Sequence, residues 1–378
     1  MNALNAHLIG TAGAASALAT PALVVDLKSL ERNIQAMMAH CARAGVKLRP
    51  HAKTHKSAEI ARLQMAAGAV GICCAKLGEA EALADAGIES IFVTSPVVTD
   101  QAFARVARLN ARMKDLMIVV DNPRCVEGLA SAVAASGKTL KILVDVDIGL
   151  HRTGIAPGQP AIALARQIIA ADGLSFEGLQ GYAGQLQHIE AFEDRRTKAE
   201  SASRLLAETR DGLKAAGIAC PIISGGGTGT FNIDTETRVY TELQAGSYVF
   251  MDKQYGDVRI ANAAPLPFET SLFVQTTVIS ATMPGLVTTD AGLKSFATEA
   301  GAPVIASGAP AGANYFFFGD EQGGVMLGGE VKSMALGSNL RCTAPHCDPT
   351  VNLYDFYHVV DGDRLVAIWP IEARGRSA

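Results

Sequence analysis

Between Thr20 and Tyr248 one unit recurs: a β-type apolar run, a helical stretch and a closing glycine. Gly45, Gly68, Gly87, Gly137, Gly173 and Gly217 each end a helical pattern a few residues before the next run. Glycine suits the left-handed residue that stops a helix. The first helix shows the period well, with Leu30, Ile34, Met37, Met38 and Cys41 on one face and Asp26 placed to cap its start. The apolar runs are Ala22–Asp26, Val46–Leu48, Val70–Cys74, Ile91–Thr94, Leu116–Val120, Ile142–Val146, Leu179–Tyr182, Ile222–Ser224 and Glu242–Ala245. Continuous apolar runs separated by helices predict buried parallel strands. There is one run more than a (β/α)8 barrel needs. Assigning the first run to another domain and starting the barrel at Val46 resolves the surplus; an open doubly wound sheet is the competing arrangement.

The rhythm changes after Pro265-Leu-Pro267. Beyond it come the β-type runs Ser271–Ile279, Leu286–Thr289, Tyr315–Phe318 and Leu365–Trp369, with turns at Met283-Pro-Gly285, Gly308–Gly312 and Asp361-Gly-Asp363. The sequence therefore predicts an α/β fold: a TIM barrel over 27–266, and a β-rich C-terminal domain over 267–378 that residues 1–26 join. The first 20 residues read as a loosely ordered lead-in, since Gly10, Thr11 and Gly13 interrupt them and no basic leader precedes them. A formal charge of -4 without long runs of like charge argues against nucleic acid and membrane surfaces as partners. Seven scattered cysteines without a C-x-x-C pair predict reduced thiols and a cytoplasmic location.

The chemistry concentrates at the predicted strand ends. Arg49-Pro-His-Ala-Lys-Thr-His-Lys56 crowds polar groups into the turn after the first barrel strand. Lys53, flanked by His51 and His55, is the candidate nucleophile, because cationic neighbours favour the neutral amine that forms a Schiff base. The alternative is a solvated basic turn. Gly225-Gly-Gly-Thr-Gly229 follows the seventh barrel strand and Gly246-Ser-Tyr248 the eighth, where this fold binds phosphate on backbone amides. A lysine facing a phosphate loop points to pyridoxal phosphate. Asp145-x-Asp147 to Arg152 and Tyr182 to His188 end the fifth and sixth strands, and the two aspartates also suit an ion-paired barrel rim. In Pro345-His-Cys-Asp-Pro-Thr350, an extended chain would turn His346 and Asp348 to one side as metal ligands and Cys347 to the other. A solvent-exposed turn is the competing reading.

Six ordered motifs resemble the D-threonine aldolase family, among the fold-type III pyridoxal phosphate enzymes related to alanine racemase. They are Arg49–Lys56, Gly71-Ile-Cys-Cys74, Ser224–Gly229, Glu242–Tyr248, Asp290-Ala-Gly-Leu-Lys294 and His346–Thr350. The group includes 3-hydroxyaspartate aldolases and D-serine dehydratases. The resemblance implies that Lys53 carries the cofactor, and that Thr228, Gly246, Ser247 and Tyr255 hold its phosphate with backbone from Gly226 and Gly227. It further implies Arg152 at the pyridine nitrogen, Tyr182 beside the cofactor, and His346 with Asp348 on Mn2+ or Mg2+. Ala75 stands where relatives carry Gln, and Gln322 where they carry His.

The expected reaction is retro-aldol cleavage of a D-β-hydroxy-α-amino acid to glycine and an aldehyde, with His188 as base, in a homodimer. The rivals are elimination of water from D-serine or 3-hydroxyaspartate, a non-catalytic pyridoxal phosphate carrier, and a metal hydrolase barrel. The harder N/O pair His346-x-Asp348 favours aldolase over the His-x-Cys zinc pattern of the dehydratases.

Overall fold

The computed structural model describes residues 4–378, so the first three residues of the predicted lead-in lie outside the described residues. The nine predicted runs all form strands. β1 (Ala22–Asp26) stands apart from the other eight, which are β2 (Lys47–Leu48), β3 (Ile72–Cys74), β4 (Ser90–Val93), β5 (Asp115–Val120), β6 (Leu140–Asp145), β7 (Leu174–Gly181), β8 (Ile222–Gly225) and β9 (Glu242–Leu243). Those eight form one parallel sheet in the order β2-β9-β8-β7-β6-β5-β4-β3. A ladder does not close it. The His51–Cys73 bridge does, with Ala52 N–H donating to Cys73 O at 2.8 Å and Cys73 N–H to Pro50 O at 2.9 Å. The seam thus lies beside the turn that carries Lys53. Arg49 reinforces it, its guanidinium donating to both oxygens of buried Glu242 at 2.9 and 3.3 Å and to Ser90 Oγ at 3.0 Å.

The six helix-closing glycines all have positive φ. The first helix, α1 (Leu27–Ala44), is capped as expected: Asp26 accepts from Ser29 N at 2.8 Å, and Gly45 ends it in the left-handed region. Leu30, Ile34, Met37 and Cys41 are buried and Met38 is half-buried. Each fully buried aliphatic side chain on that face contributes ~1.5–3 kcal/mol.

β1 belongs to a second, nine-stranded sheet, where it lies between β10 (Leu272–Met283), antiparallel to it, and a parallel strand, Phe356–Asp361. The chain after Pro267 supplies every other strand of that sheet. The sequence reading named four of these strands and missed Val304–Ser307, Gly323–Met326, Asn339–Thr343 and Phe356–Asp361. Gly323-Gly-Val-Met326 holds its place by pairing on both edges, so its residue types carry little of the signal.

The lead-in is better ordered than expected. Ala14, Ala15 and Leu18 are buried against Val24, Val360 and Leu365, and the Asn5 side chain bonds Ala19 and His358. One apolar cluster runs from α1 through the barrel helices to Val274 and Tyr357, so barrel and β-rich sheet share a core. All seven cysteines are free thiols. No helix is long and apolar enough to cross a membrane among the described residues.

Candidate active site

The C-terminal ends of the barrel strands surround a pocket. Eight of the residues singled out from sequence line it: Lys53, Arg152, Tyr182, Gly227, Thr228, Gly246, Ser247 and Tyr255. Gly226 lies just behind, in the left-handed region at φ 72°, where a Cβ would stand 2.5 Å from Asp234 Oδ2. The glycines are a requirement of space. A Cβ on Gly246 would sit 2.8 Å from His51 O and 2.8 Å from Thr54 Oγ1. Thr228 Oγ1 accepts from Tyr248 N–H at 2.9 Å, which leaves its own proton free to point into the pocket. Thr228 and Ser247 thus bring two hydroxyls to the pocket that Lys53 enters.

Lys53 departs from the sequence expectation. Its neighbours His51 and His55 are not cations: both imidazoles are buried, which holds His51 well below its ordinary pKa and brings His55 down to about 4. His51 Nδ1 accepts from Lys53 N–H at 3.3 Å, so its Nε2 proton faces Thr94 Oγ1 at 3.0 Å. The charge that weighs most on Lys53 is a carboxylate, with the Arg152 guanidinium acting in the opposite sense. Asp348 Oδ2 lies 3.5 Å from Nζ. Burial pulls the lysine pKa down, but Asp348 outweighs it and holds the ammonium form above the ordinary value. Lys53 is thus ion-paired, and Asp348 outweighs the opposing influence of Arg152.

Asp348 comes from the β-rich domain, on a turn that is not extended as predicted. Cys347–Val351 is a short helix with His346 as its N-cap. Cys347 is buried, its Sγ 3.4 Å from Asp348 Oδ1. Asp348 Oδ1 also lies 3.5 Å from Ser247 Oγ. His346 Nδ1 is 2.7 Å from Glu299 Oε1. A carboxylate accepts, so Nδ1 carries the proton and Nε2 is the ring nitrogen that would face a cation. Among the described residues no group of three or more His, Cys, Asp or Glu side chains could hold a metal. His346 and Asp348 alone would offer one imidazole and one carboxylate, a chemistry suited to a hard divalent ion.

His188 is exposed at the mouth, its ring 4.5 Å from that of Tyr255 and 6.4 Å from that of His346. Loss of solvent on its packed side and the neighbouring His346 lower its pKa to about 4. Arg152 is exposed, with its guanidinium 5.6 Å from the Tyr182 ring. Asp147 belongs to the rim, as the alternative reading had it, accepting from Gly149 N, His151 N and His151 Nδ1. Asp145 differs: it is buried on Gln180 and Thr153 without an ion pair among the described residues, and burial pushes it up to about 6.

Sequence reasoning did not single out Thr94, Gln180, Gln244 or Glu299. Gln180 Nε2 donates to Asp145 Oδ1 at 2.9 Å, and Gln244 Nε2 to Gln180 Oε1 at 3.1 Å, forming a polar floor beneath the pocket. Polar residues closing apolar strands were the available signal for the first three. Glu299 had none, because only the fold brings it to His346.

Residues 25–254 match the family model described as the N-terminal domain of alanine racemase, and residues 271–360 one described as a putative serine dehydratase domain. The chain belongs to the alanine racemase family. Within it, this chain is 43% identical over 360 residues to a D-threonine aldolase from Arthrobacter sp, covering 95% of this chain and 93% of that one. It is 37% identical over 367 residues to a 3-hydroxy-D-aspartate aldolase from Paracoccus denitrificans, covering 96% and 93%. The crystal structure of a D-threonine aldolase from Filomicrobium marinum superposes with a TM-score of 0.91 at 38% identity, covering 96% of this chain and 97% of that one. Barrel plus strand-rich domain is the fold type III architecture of this alanine racemase group.

Asp234 gives the glycine loop a pH-dependent support. It is buried, accepts from Thr230 Oγ1 at 2.5 Å, and burial raises its pKa to about 7 against the pull of Thr230 and the Gly227 amide. A carboxyl whose folded pKa exceeds its unfolded one stabilises the fold below the unfolded value, about 3.9, and that contribution is lost as pH rises towards 7. Asp234→Asn removes this titration while Asp145 titrates alike in both proteins. Denaturant unfolding should therefore show the wild type losing ~1–3 kcal/mol more than the variant between pH 4 and pH 8. Equal losses would refute the assignment.

Proposed function

We propose that this chain is a pyridoxal phosphate- and divalent-metal-dependent aldolase that cleaves D-β-hydroxy-α-amino acids of the D-threonine type to glycine and an aldehyde. The observation that carries it is geometric: Lys53 shares its pocket with Thr228, Gly246, Ser247 and Tyr255, Asp348 lies 3.5 Å from its amine, and the His188 ring lies 4.5 Å from that of Tyr255 and 6.4 Å from that of His346. The glycine cradle and the free Thr228 proton fit the cofactor's phosphate. The N/O donor pair fits Mn2+ or Mg2+.

Lys53 would hold the cofactor through its amine; Thr228, Ser247, Tyr255 and the amides around Gly226, Gly227 and Gly246 would hold the phosphate; Tyr182 and Arg152 would flank the ring. Pyridoxal phosphate, when bound, supplies an electron sink for the charge left on Cα when Cα–Cβ breaks. His346 and Asp348 would hold a cation that lowers the pKa of the substrate β-hydroxyl. His188, neutral at working pH because its pKa lies near 4, would take the β-hydroxyl proton. In the ammonium form that Asp348 favours, Lys53 would donate a proton to Cα and be left as the neutral amine. A homodimer belongs to this reading, as does a reducing cytoplasm, which suits the seven free thiols.

A second reading, elimination of water from D-serine or 3-hydroxyaspartate, draws on the dehydratase match of the C-terminal domain. Incubating the purified protein with pyridoxal phosphate and Mn2+ separates them. D-threonine should yield glycine and acetaldehyde, while pyruvate from D-serine without glycine from D-threonine would sink the aldolase reading. Light scattering on the same sample checks the dimer.

A further inference from the structure

Asp252 is 1% exposed and sits between the two halves of the site. Its Oδ1 accepts from Tyr255 N at 3.0 Å, capping the short helix Lys253–Asp257 that presents Tyr255 to the pocket. Its Oδ2 accepts from Cys347 N at 2.9 Å, the amide between His346 and Asp348. Next to it Lys253 N donates to Ala344 O at 3.1 Å. One buried carboxylate therefore fixes a barrel segment on one side and a turn of the β-rich domain on the other. Losing either arm would remove the acceptor of a buried N–H.

We propose that Asp252 is a positioning residue that ties the cofactor cradle to the metal turn, so that filling one side strengthens binding at the other. This rests on the reading that His346 and Asp348 hold a divalent cation and that the Tyr255 side holds the cofactor. Ordering of Tyr255 by a bound phosphate passes through Asp252 to the Cys347 amide, so the turn is ordered once for both ligands. Linkage then requires the same factor in both directions.

The test uses the full-length protein and readouts other than turnover. Mn2+ affinity is measured by electron paramagnetic resonance of the free ion, with and without pyridoxal phosphate. Cofactor affinity is measured by absorbance, with and without Mn2+. In the wild type each ligand should tighten the other by at least ~5-fold. Asp252→Ser keeps a hydroxyl able to cap Tyr255 N but too short to reach Cys347 N. Its cofactor affinity without metal should stay within ~2-fold of wild type, its Mn2+ affinity should fall ~10-fold or more, and the mutual tightening should shrink towards none. Should the serine variant fail to fold, Asp252→Asn, which keeps the length but has one acceptor oxygen for two N–H donors, is expected to show the same loss of mutual tightening. Wild-type Mn2+ affinity and undiminished tightening in a folded variant would overturn the proposal. So would a wild type that binds both ligands independently, which leaves the aldolase reading intact. A wild type that binds cofactor but no Mn2+ overturns the metal assignment and this proposal with it.

Discussion

Lys53→Ala should yield a colourless protein and reduce D-threonine cleavage by at least ~10³-fold, with the barrel intact. The amine shares the pocket with Thr228, Gly246 and Ser247 and lies 3.5 Å from Asp348, and among the described residues no other lysine lines that pocket. Alanine, however, also strips Asp348 of its counter-charge, so a loss of activity alone would not separate covalent attachment from electrostatics. Lys53→Arg does. A guanidinium retains the positive charge opposite Asp348 but offers no amine to an aldehyde. It should unfold like the wild type, show no lysine-linked visible band after dialysis against pyridoxal phosphate, and remain inactive. Borohydride reduction and peptide mapping of the wild type should place the label on residue 53. A label elsewhere, or an active arginine variant, would remove the foundation of the proposed chemistry.

Asp348→Asn should have two effects of different sign. Cleavage of D-threonine with Mn2+ present should fall by at least ~10²-fold, because the cation loses its charged ligand. Capture of pyridoxal phosphate by the metal-free protein should instead become easier at low pH. Asp348 favours the ammonium form of Lys53 and raises its pKa, and the neutral amine is the form that attacks an aldehyde. Without the carboxylate, burial is left as the main influence and lowers the lysine pKa. The pH midpoint of cofactor capture should therefore move down, by about 1–3 units. The measurement is the visible band against pH for the wild type and Asp348→Asn, both freed of metal. An unchanged midpoint would show that the ion pair at 3.5 Å does not govern the amine. A cation at Asp348 would act in the same direction as the substitution, by drawing the carboxylate's charge away from Lys53.

These two residues also show what a chain reveals without its fold. The nine strand runs, the Asp26 cap, the closing glycines and the glycine cradle were legible, because each is written in neighbouring residues. An apolar run states which atoms leave water, and a glycine states where the backbone must turn left-handed or pass close to another chain segment. The β-rich domain was read in outline. Its short glycine-bearing strand Gly323–Met326 is held by its neighbours' hydrogen bonds, which no local pattern encodes.

The ionisation of Lys53 was misread from sequence for a related reason. His51 and His55 flank it in the chain, yet burial keeps both neutral, while the charge that matters arrives on Asp348 from the other end of the chain. Likewise, an extended His346-x-Asp348 was expected, and a helix start was found, capped by His346 and tied by its Cys347 amide to Asp252. By itself the sequence determined the barrel, the partnership of β1 with the second domain and the residue types available for chemistry. Only the tertiary structure decided their protonation and pairing, because a pKa depends on what burial brings within a few ångströms, whatever the distance along the chain.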